Sequence, residues 1–334
     1  MTLYALQDID DAIAATRAFL WPFDLGRWVK LAVVVFFLGG TGGVNTFQFG
    51  GSPQGTPTDP MDPGGTPNFR AMIDAISTTE WLLIGAVVGV ILLIGLAFAF
   101  VGAVMEFVFV ESLRRERVAI REYWRGWWWQ GGRLFGFRLV VGLLSLLLVG
   151  GAIVAAIWPL LNGSGGFSLP LLLVAIGVAF VVAIVGSLVN GFTTQFVVPV
   201  MIAENRNVLA AWRRFWPTLL GQWKQYLAYV VLRFVLAIAV AVVVGVISMI
   251  GALVLAIPFV IVGLIGAAAL GAAPTLGWGI IVFAVALFAL TLIALSLLVA
   301  VPVQTYLRYY ALLVLGDTAE AFDLVADRRQ TIRA

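Results

Sequence analysis

The chain has 334 residues, of which 62% are hydrophobic and 11% charged, against roughly 45–50% and about 25% in soluble domains. It contains no cysteine and no histidine, which excludes a disulfide frame, a thiolate nucleophile, the usual general base and the commonest transition-metal ligand. The net charge of +3 does not point to nucleic acid, because the basic residues sit between hydrophobic runs instead of forming one patch.

A spanning helix needs about 20 apolar residues, since about 30 Å of hydrocarbon is crossed at about 1.5 Å per residue. Six stretches are read as spans. The first, Trp28 to Val44, is short and broken by Gly39, Gly40, Gly42 and Gly43. The others run from Trp81 to about Val110, Leu139 to Leu161, Ser168 to about Ala203, from near Tyr226, and from Trp278 to about Val303. A surplus apolar segment between the last two spans, Pro258 to Ala273, is rich in Ala and Gly and reads as a re-entrant or interfacial piece in preference to a full span, which would move the carboxyl end to the other side.

The connections set the orientation. Basic residues cluster in the amino end, in the second-to-third and fourth-to-fifth connections and in the carboxyl end, 18 of 20 in all. That face is expected to be cytoplasmic, in a cell membrane, with both ends of the chain inside. Tryptophans fall near the predicted interfaces, as their amphipathic rings prefer. On the opposite side, residues 48–67 read as a disordered Gly/Pro/Thr linker, followed by a short amphipathic helix to Ser77. Asp59 and Asp62 in that linker read as solvated charge, and the Asn162-Gly163-Ser164 sequon lies too near the membrane for use.

An internal repeat stands out. Trp21-Pro22-Phe23-Asp24-Leu25-Gly26-Arg27-Trp28 matches Trp216-Pro217-Thr218-Leu219-Leu220-Gly221-Gln222-Trp223 at Trp, Pro, Leu, Gly and Trp. A weaker copy places Arg117, Arg125, Trp127 and Gly132 against Arg206, Arg214, Trp216 and Gly221. Amphipathic residues precede each copy, and proline is expected to end that helix, so the motif reads as an elbow turning the chain into the bilayer. The expected fold is a single all-α domain over 1–334, a polytopic transmembrane helical bundle of about six spans. Three pseudo-repeats, about 5–112, 113–203 and 204–318, would each hold an interfacial amphipathic helix and two spans.

The stretch from Phe196-Val-Val-Pro-Val through Glu204-Asn-Arg-Asn-Val-Leu-Ala-Ala-Trp-Arg-Arg-Phe-Trp-Pro resembles uncharacterised multi-pass membrane proteins of halophilic archaea. More distantly it is similar to the membrane domain attached to some glycerophosphodiester phosphodiesterases. The resemblance implies a membrane elbow and no reaction. The phosphodiesterase activity belongs to a separate histidine-dependent domain, and this chain contains no histidine.

No catalytic constellation is present, because a Ser or Thr nucleophile finds no His or Lys in the spans. The chain is expected to be no enzyme and to need no cofactor or metal. The polar residues that break the apolar pattern are Glu106, Asn190, Gln195, Gln304 and Arg233. Glu106, Gln195 and Gln304 would either reach headgroups and water as interfacial residues or form a polar ring at the inner mouth of the bundle. Arg233, the one basic residue inside a span, would either snorkel to headgroups or face the bundle and meet Glu106 or the Asn190–Gln195 patch. The expected function is a non-catalytic membrane scaffold or lipid-associated module whose partners are anionic headgroups on the cytoplasmic side. The alternative is a permease for a small or amphiphilic molecule.

Overall fold

The computed structural model describes residues 4–39, 77–161 and 169–333. Among them there is no strand. The order is α1 (Tyr4–Leu20), α2 (Leu25–Gly39), α3 (Thr78–Arg114), α4 (Ile120–Leu161), α5 (Leu169–Phe192), a π-helical turn (Thr193–Val197), α6 (Val198–Glu204), α7 (Val208–Gly221), α8 (Trp223–Ala269), α9 (Pro274–Thr318), a 3₁₀ turn (Glu320–Phe322) and α10 (Ala326–Arg333). Local chemistry sets several boundaries. A reciprocal capping box opens α3: the Glu80 amide donates to the Ser77 hydroxyl at 3.3 Å, and the Ser77 amide donates to Glu80 Oε2 at 2.8 Å. Asn205 ends α6 in the left-handed region at φ 50°, where a short polar side chain is tolerated.

The molecule divides into a belt and a base. On α3 the large apolar side chains from Trp81 to Phe98 are exposed, and the helix is buried from Gly102 to Leu113. On α9 exposure ends at Leu298 and burial begins at Val301. The α5 helix buries only Ala175 among its residues, yet the π-turn and α6 below it are almost wholly buried. The exposed part of α3, Thr78 to Phe98, is about 31 Å long at about 1.5 Å per residue, the thickness of bilayer hydrocarbon. Side chains this apolar cannot face water, so the belt is the membrane-embedded part. Five helices among the described residues are long and apolar enough to cross: α3, α4, α5 with its continuation to Glu204, α8 and α9. The chain is a helical bundle with five candidate membrane spans among its described residues.

The expectation of six spans is met at five positions. The Trp28–Val44 stretch is helical as the 15-residue α2, about 22 Å of rise, and its remainder lies outside the described residues. So do the 48–67 linker, the short helix after it, Asp59, Asp62 and the Asn162 sequon. The Pro258–Ala273 segment is not a separate re-entrant piece. α8 runs unbroken through Pro258 to Ala269, since one missing N–H in a long apolar helix does not stop it when the neighbouring helix α9 packs along its length. The tip of this α8–α9 hairpin closes on glycine: a Cβ on Gly277 would stand 2.8 Å from the Gly266 carbonyl.

The base is one hydrophobic core formed by α1, α2, α6, α7, the π-turn and the base ends of α3, α4, α8 and α9. Helix α1 does not lie loose on a surface: Asp8, Ala12, Ala15 and Phe19 are fully buried, and the Phe19 ring meets the Tyr309 ring edge-on at 6.1 Å. The two ends of the chain meet here. Arg333 bonds Asp8 and Asp317 at 2.8 Å and Asp11 at 2.7 Å, and Arg329 pairs with Asp317 and, at 2.5 Å, with Asp323. Burial, and next the Asp317 carboxylate, push Asp8 up to about 8, with Arg333 acting against them.

The elbow motif does not bend the chain the same way twice. At the first copy α1 ends at Leu20 and α2 begins at Leu25. Asp24 accepts from the Gly26 amide at 2.9 Å, and Arg27 donates to the Phe19 carbonyl at 2.6 Å. At the second copy Pro217 lies inside α7, and the break waits until Gln222. Leu219 stands where Asp24 stands in the first copy, so no side chain there caps a new helix, and α7 continues to Gly221. Gln222 then donates its side-chain amide to the Thr318 carbonyl at 2.7 Å, fixing the break to the end of α9. In the weak third copy Trp128 replaces proline, and Trp127 to Gly132 run through the middle of unbroken α4. A separate leading helix is therefore present before the motif in the first and third units only.

Candidate functional site

The polar centre is built where belt meets base, and Pro199 shapes it. Proline has no N–H to give, so the ladder above it is disturbed and takes up a π-turn at Thr193–Val197. The Val198 amide donates back to the Thr193 carbonyl. The Thr194 carbonyl therefore loses its α-helical donor at Val198, and the next candidate is Pro199, which has none. Arg308 fills the gap, donating Nη1 to the Thr194 carbonyl at 2.6 Å. Turns of this kind recur at functional sites.

Glu106 is the anionic hub. Its Oε2 accepts from Arg308 Nη2 in a short charge-assisted bond, and its Oε1 accepts from Arg138 Nη2 at 3.2 Å. Arg138 also donates to the Thr194 hydroxyl at 2.7 Å. The Glu106 and Arg308 side chains are almost fully enclosed, at 4% and 5% exposure. Charges at that depth persist only when paired and hydrogen-bonded.

Arg233 is a neighbour of this cluster, not a member of the Glu106 pairings. It donates to the Tyr229 hydroxyl at 2.9 Å. With the Gln195 amide oxygen turned toward it, Arg233 also donates Nη1 and Nη2 to that oxygen at 2.8 and 3.2 Å. Gln195, in the polar patch set against Arg233 from the sequence, is the member of that patch beside it. The alternative partner, Glu106, is bonded instead by Arg138 and Arg308. Gln304 is half-buried on α9, one turn before Arg308, and like Glu106 it is not among the residues that line the cavity described next. Arg138 and Arg308 were missed by reasoning from the sequence, which placed both among interfacial basic residues.

Arg138, Asn190, Gln195 and Arg233 line one cavity of about 1130 Å³. Its walls rise on α3, α4, α5 and α8 and are apolar, including Leu96, Leu146, Phe180 and Phe234. Those four side chains are also among the exposed residues of the belt, so the cavity opens sideways through it. Underneath, Phe196 and Tyr229 close it. Both are buried in an aromatic cluster in which Phe196 stacks on Phe215 at 5.6 Å and Tyr229 stacks on Tyr310 at 5.2 Å. The space is a lateral cul-de-sac with an arginine floor. A family model matches residues 3–325, nearly the whole chain.

The chain belongs to DUF7544, a family of unknown function. Membership agrees with the expectation of a family without known activity. No curated protein and no solved structure matches the chain.

Proposed function

We propose that this DUF7544 member is a non-catalytic, lipid-associated membrane module that takes a membrane amphiphile from the side into the cavity between α3, α4, α5 and α8. The observation that carries this reading is the shape of the site: apolar walls open to the belt, polar groups at the floor and an aromatic plug beneath. Binding sites for small molecules are mostly apolar clefts with a few convergent polar groups, and a lipid reaches such a cleft without leaving the bilayer. Among the described residues no nucleophile–base pair faces the cavity, and no cluster of acidic side chains suits a metal. The resemblance to a phosphodiesterase-attached membrane domain runs through the Phe196–Pro217 stretch, which supplies part of the cavity floor. The positive-inside rule puts the arginine-rich base in the cytoplasm of a cell membrane, with both chain ends there.

The permease reading has less support, because a substrate passing through the base would have to displace the Phe196–Tyr229 plug. The test is identification of co-purified lipid by native mass spectrometry, comparing wild type with Gly142→Phe. A Cβ on Gly142 meets nothing within 4 Å, and the residue lines the cavity, so a phenyl ring there fills the space. Wild type should carry a defined lipid that the variant lacks. Proteoliposomes that accumulate a solute through this chain would favour the permease.

A further inference from the structure

The charge at the cavity floor has a chemical reading that rests on the lipid-associated function proposed above and narrows its ligand. Arg138 and Arg308 share a single carboxylate, Glu106, and Arg233 stands beside them on Tyr229 and Gln195, which leaves three cations less one anion, a surplus of two positive charges. No carboxylate among the described residues pairs with Arg233. Arg138 spends Nη2 on Glu106 and Thr194, and its Nε and Nη1 are buried with no hydrogen-bond partner. Buried donors on a charged group are costly to leave unmade. Both arginines line the same cavity.

We infer that the cavity holds the phosphate headgroup of an anionic membrane lipid, with phosphate oxygens accepting from Arg138 and Arg233 and the acyl chain lying between α4 and α5. Phosphate presents more oxygens than a carboxylate, in a tetrahedral array, and so offers acceptors to donors arriving from two helices at once. A phosphomonoester carries about −1.5 to −2, close to the surplus on the floor, and a phosphodiester offsets half of it. From Arg138 to Leu146 the wall rises about 12 Å at about 1.5 Å per residue, and Gly142 leaves that wall open. The floor lies at the inner rim of the exposed belt, the depth at which a headgroup sits.

The full chain, purified and stripped of lipid in mild detergent, is titrated with phosphatidic acid, phosphatidylglycerol, phosphatidylcholine or a fatty acid of matched chain length, and bound lipid is counted by native mass spectrometry. Phosphatidic acid and phosphatidylglycerol should bind at least about tenfold more tightly than phosphatidylcholine or the fatty acid, the usual scale of a charge-assisted bond. Arg233→Leu, which strips no carboxylate of its partner, should lose about tenfold for the anionic phospholipids. Arg233→Lys should recover part of that loss, and Arg206→Gln on the exposed base should change nothing. Equal binding of phosphatidic acid and phosphatidylcholine, a preference for the fatty acid, or an unchanged Arg233→Leu would overturn the headgroup assignment. Gly142→Phe separates the two levels of the reading. If it abolishes lipid retention while headgroup preference is absent, the lipid-associated function stands and the phosphate assignment falls. If it leaves retention intact, both fall.

Discussion

Arg308 and the Thr194 carbonyl are 114 residues apart in the chain and 2.6 Å apart in space, joined because Pro199 and the π-turn leave that carbonyl without a backbone donor. The same guanidinium holds Glu106, which in turn holds Arg138 at the cavity floor. A proline at the start of α6 thus sets the geometry of the polar site. Pro199→Ala restores an N–H and removes the reason for the π-turn, shifting the register of Thr194. Losing its hydrogen bonds to the two arginines should destabilise the protein by about 1–3 kcal/mol, read from denaturant unfolding in detergent. An unchanged midpoint would mean the π-turn does not depend on this proline.

Glu106→Gln leaves Arg138 and Arg308 buried beside a neutral amide. Breaking a buried ion pair from one side costs about 3–5 kcal/mol, so this variant should be among the least stable single substitutions in the chain. Thermal unfolding in detergent checks it. Stability within about 0.5 kcal/mol of wild type, the range of ordinary surface changes, would show that the cluster is not closed in the way described.

How much of this was legible in the sequence follows from the kind of signal involved. Hydrophobic run length identifies a membrane-spanning helix because the requirement is local, and it located α3, α4, α5, α8 and α9. Arg233 announced itself as a charge inside such a run, and its Gln195 partner lay in the polar patch named from the sequence. Arg138 and Arg308 stand at the ends of their apolar runs, where a count of basic residues assigns them to the interface. Only the fold reveals that they turn inward to a carboxylate 32 and 202 residues away. The elbow motif misled for a related reason. Trp-Pro-x-x-Leu-Gly-x-Trp records shared residues, while the bend is decided by Asp24 in one copy and by the tie from Gln222 to α9 in the other.

Asp8 gives a pH dependence. Its pKa in the fold, about 8, lies above the ordinary 3.8, so the folded protein holds a proton that the unfolded chain releases. Its contribution is fully present below pH 3.8, declines as pH rises, and is gone above about 8. Unfolding midpoints measured from pH 5 to 9 should therefore fall across that window. Asp8→Asn, a neutral mimic of the protonated acid, should flatten the profile. A wild-type midpoint that rises with pH would contradict the assignment.

Close packing of α3 on α4 depends on Gly131. A Cβ there would stand 2.8 Å from the Val104 Cα, a backbone atom that cannot swing aside. Gly131→Ala should cost about 1–3 kcal/mol through overpacking, whereas Gly136→Ala on the same helix, with nothing within 4 Å of its Cβ, should stabilise by about 0.4–1 kcal/mol. Equal stabilities for the pair, measured by unfolding, would show that the two helices separate easily.

Occupation of the cavity between α3, α4, α5 and α8 by a membrane lipid can be read with a photoactivatable phospholipid. The lipid, carrying a diazirine in its acyl chain, is incorporated into membranes containing the full chain, activated by light, and the adducts are mapped by mass spectrometry. Adducts should concentrate on the cavity walls at Leu143, Leu146, Phe180 and Ile184, and Gly142→Phe should remove that concentration while leaving weaker labelling around the belt. Labelling spread evenly over the exposed faces of α3, α4, α5, α8 and α9, and unchanged by Gly142→Phe, would contradict the account.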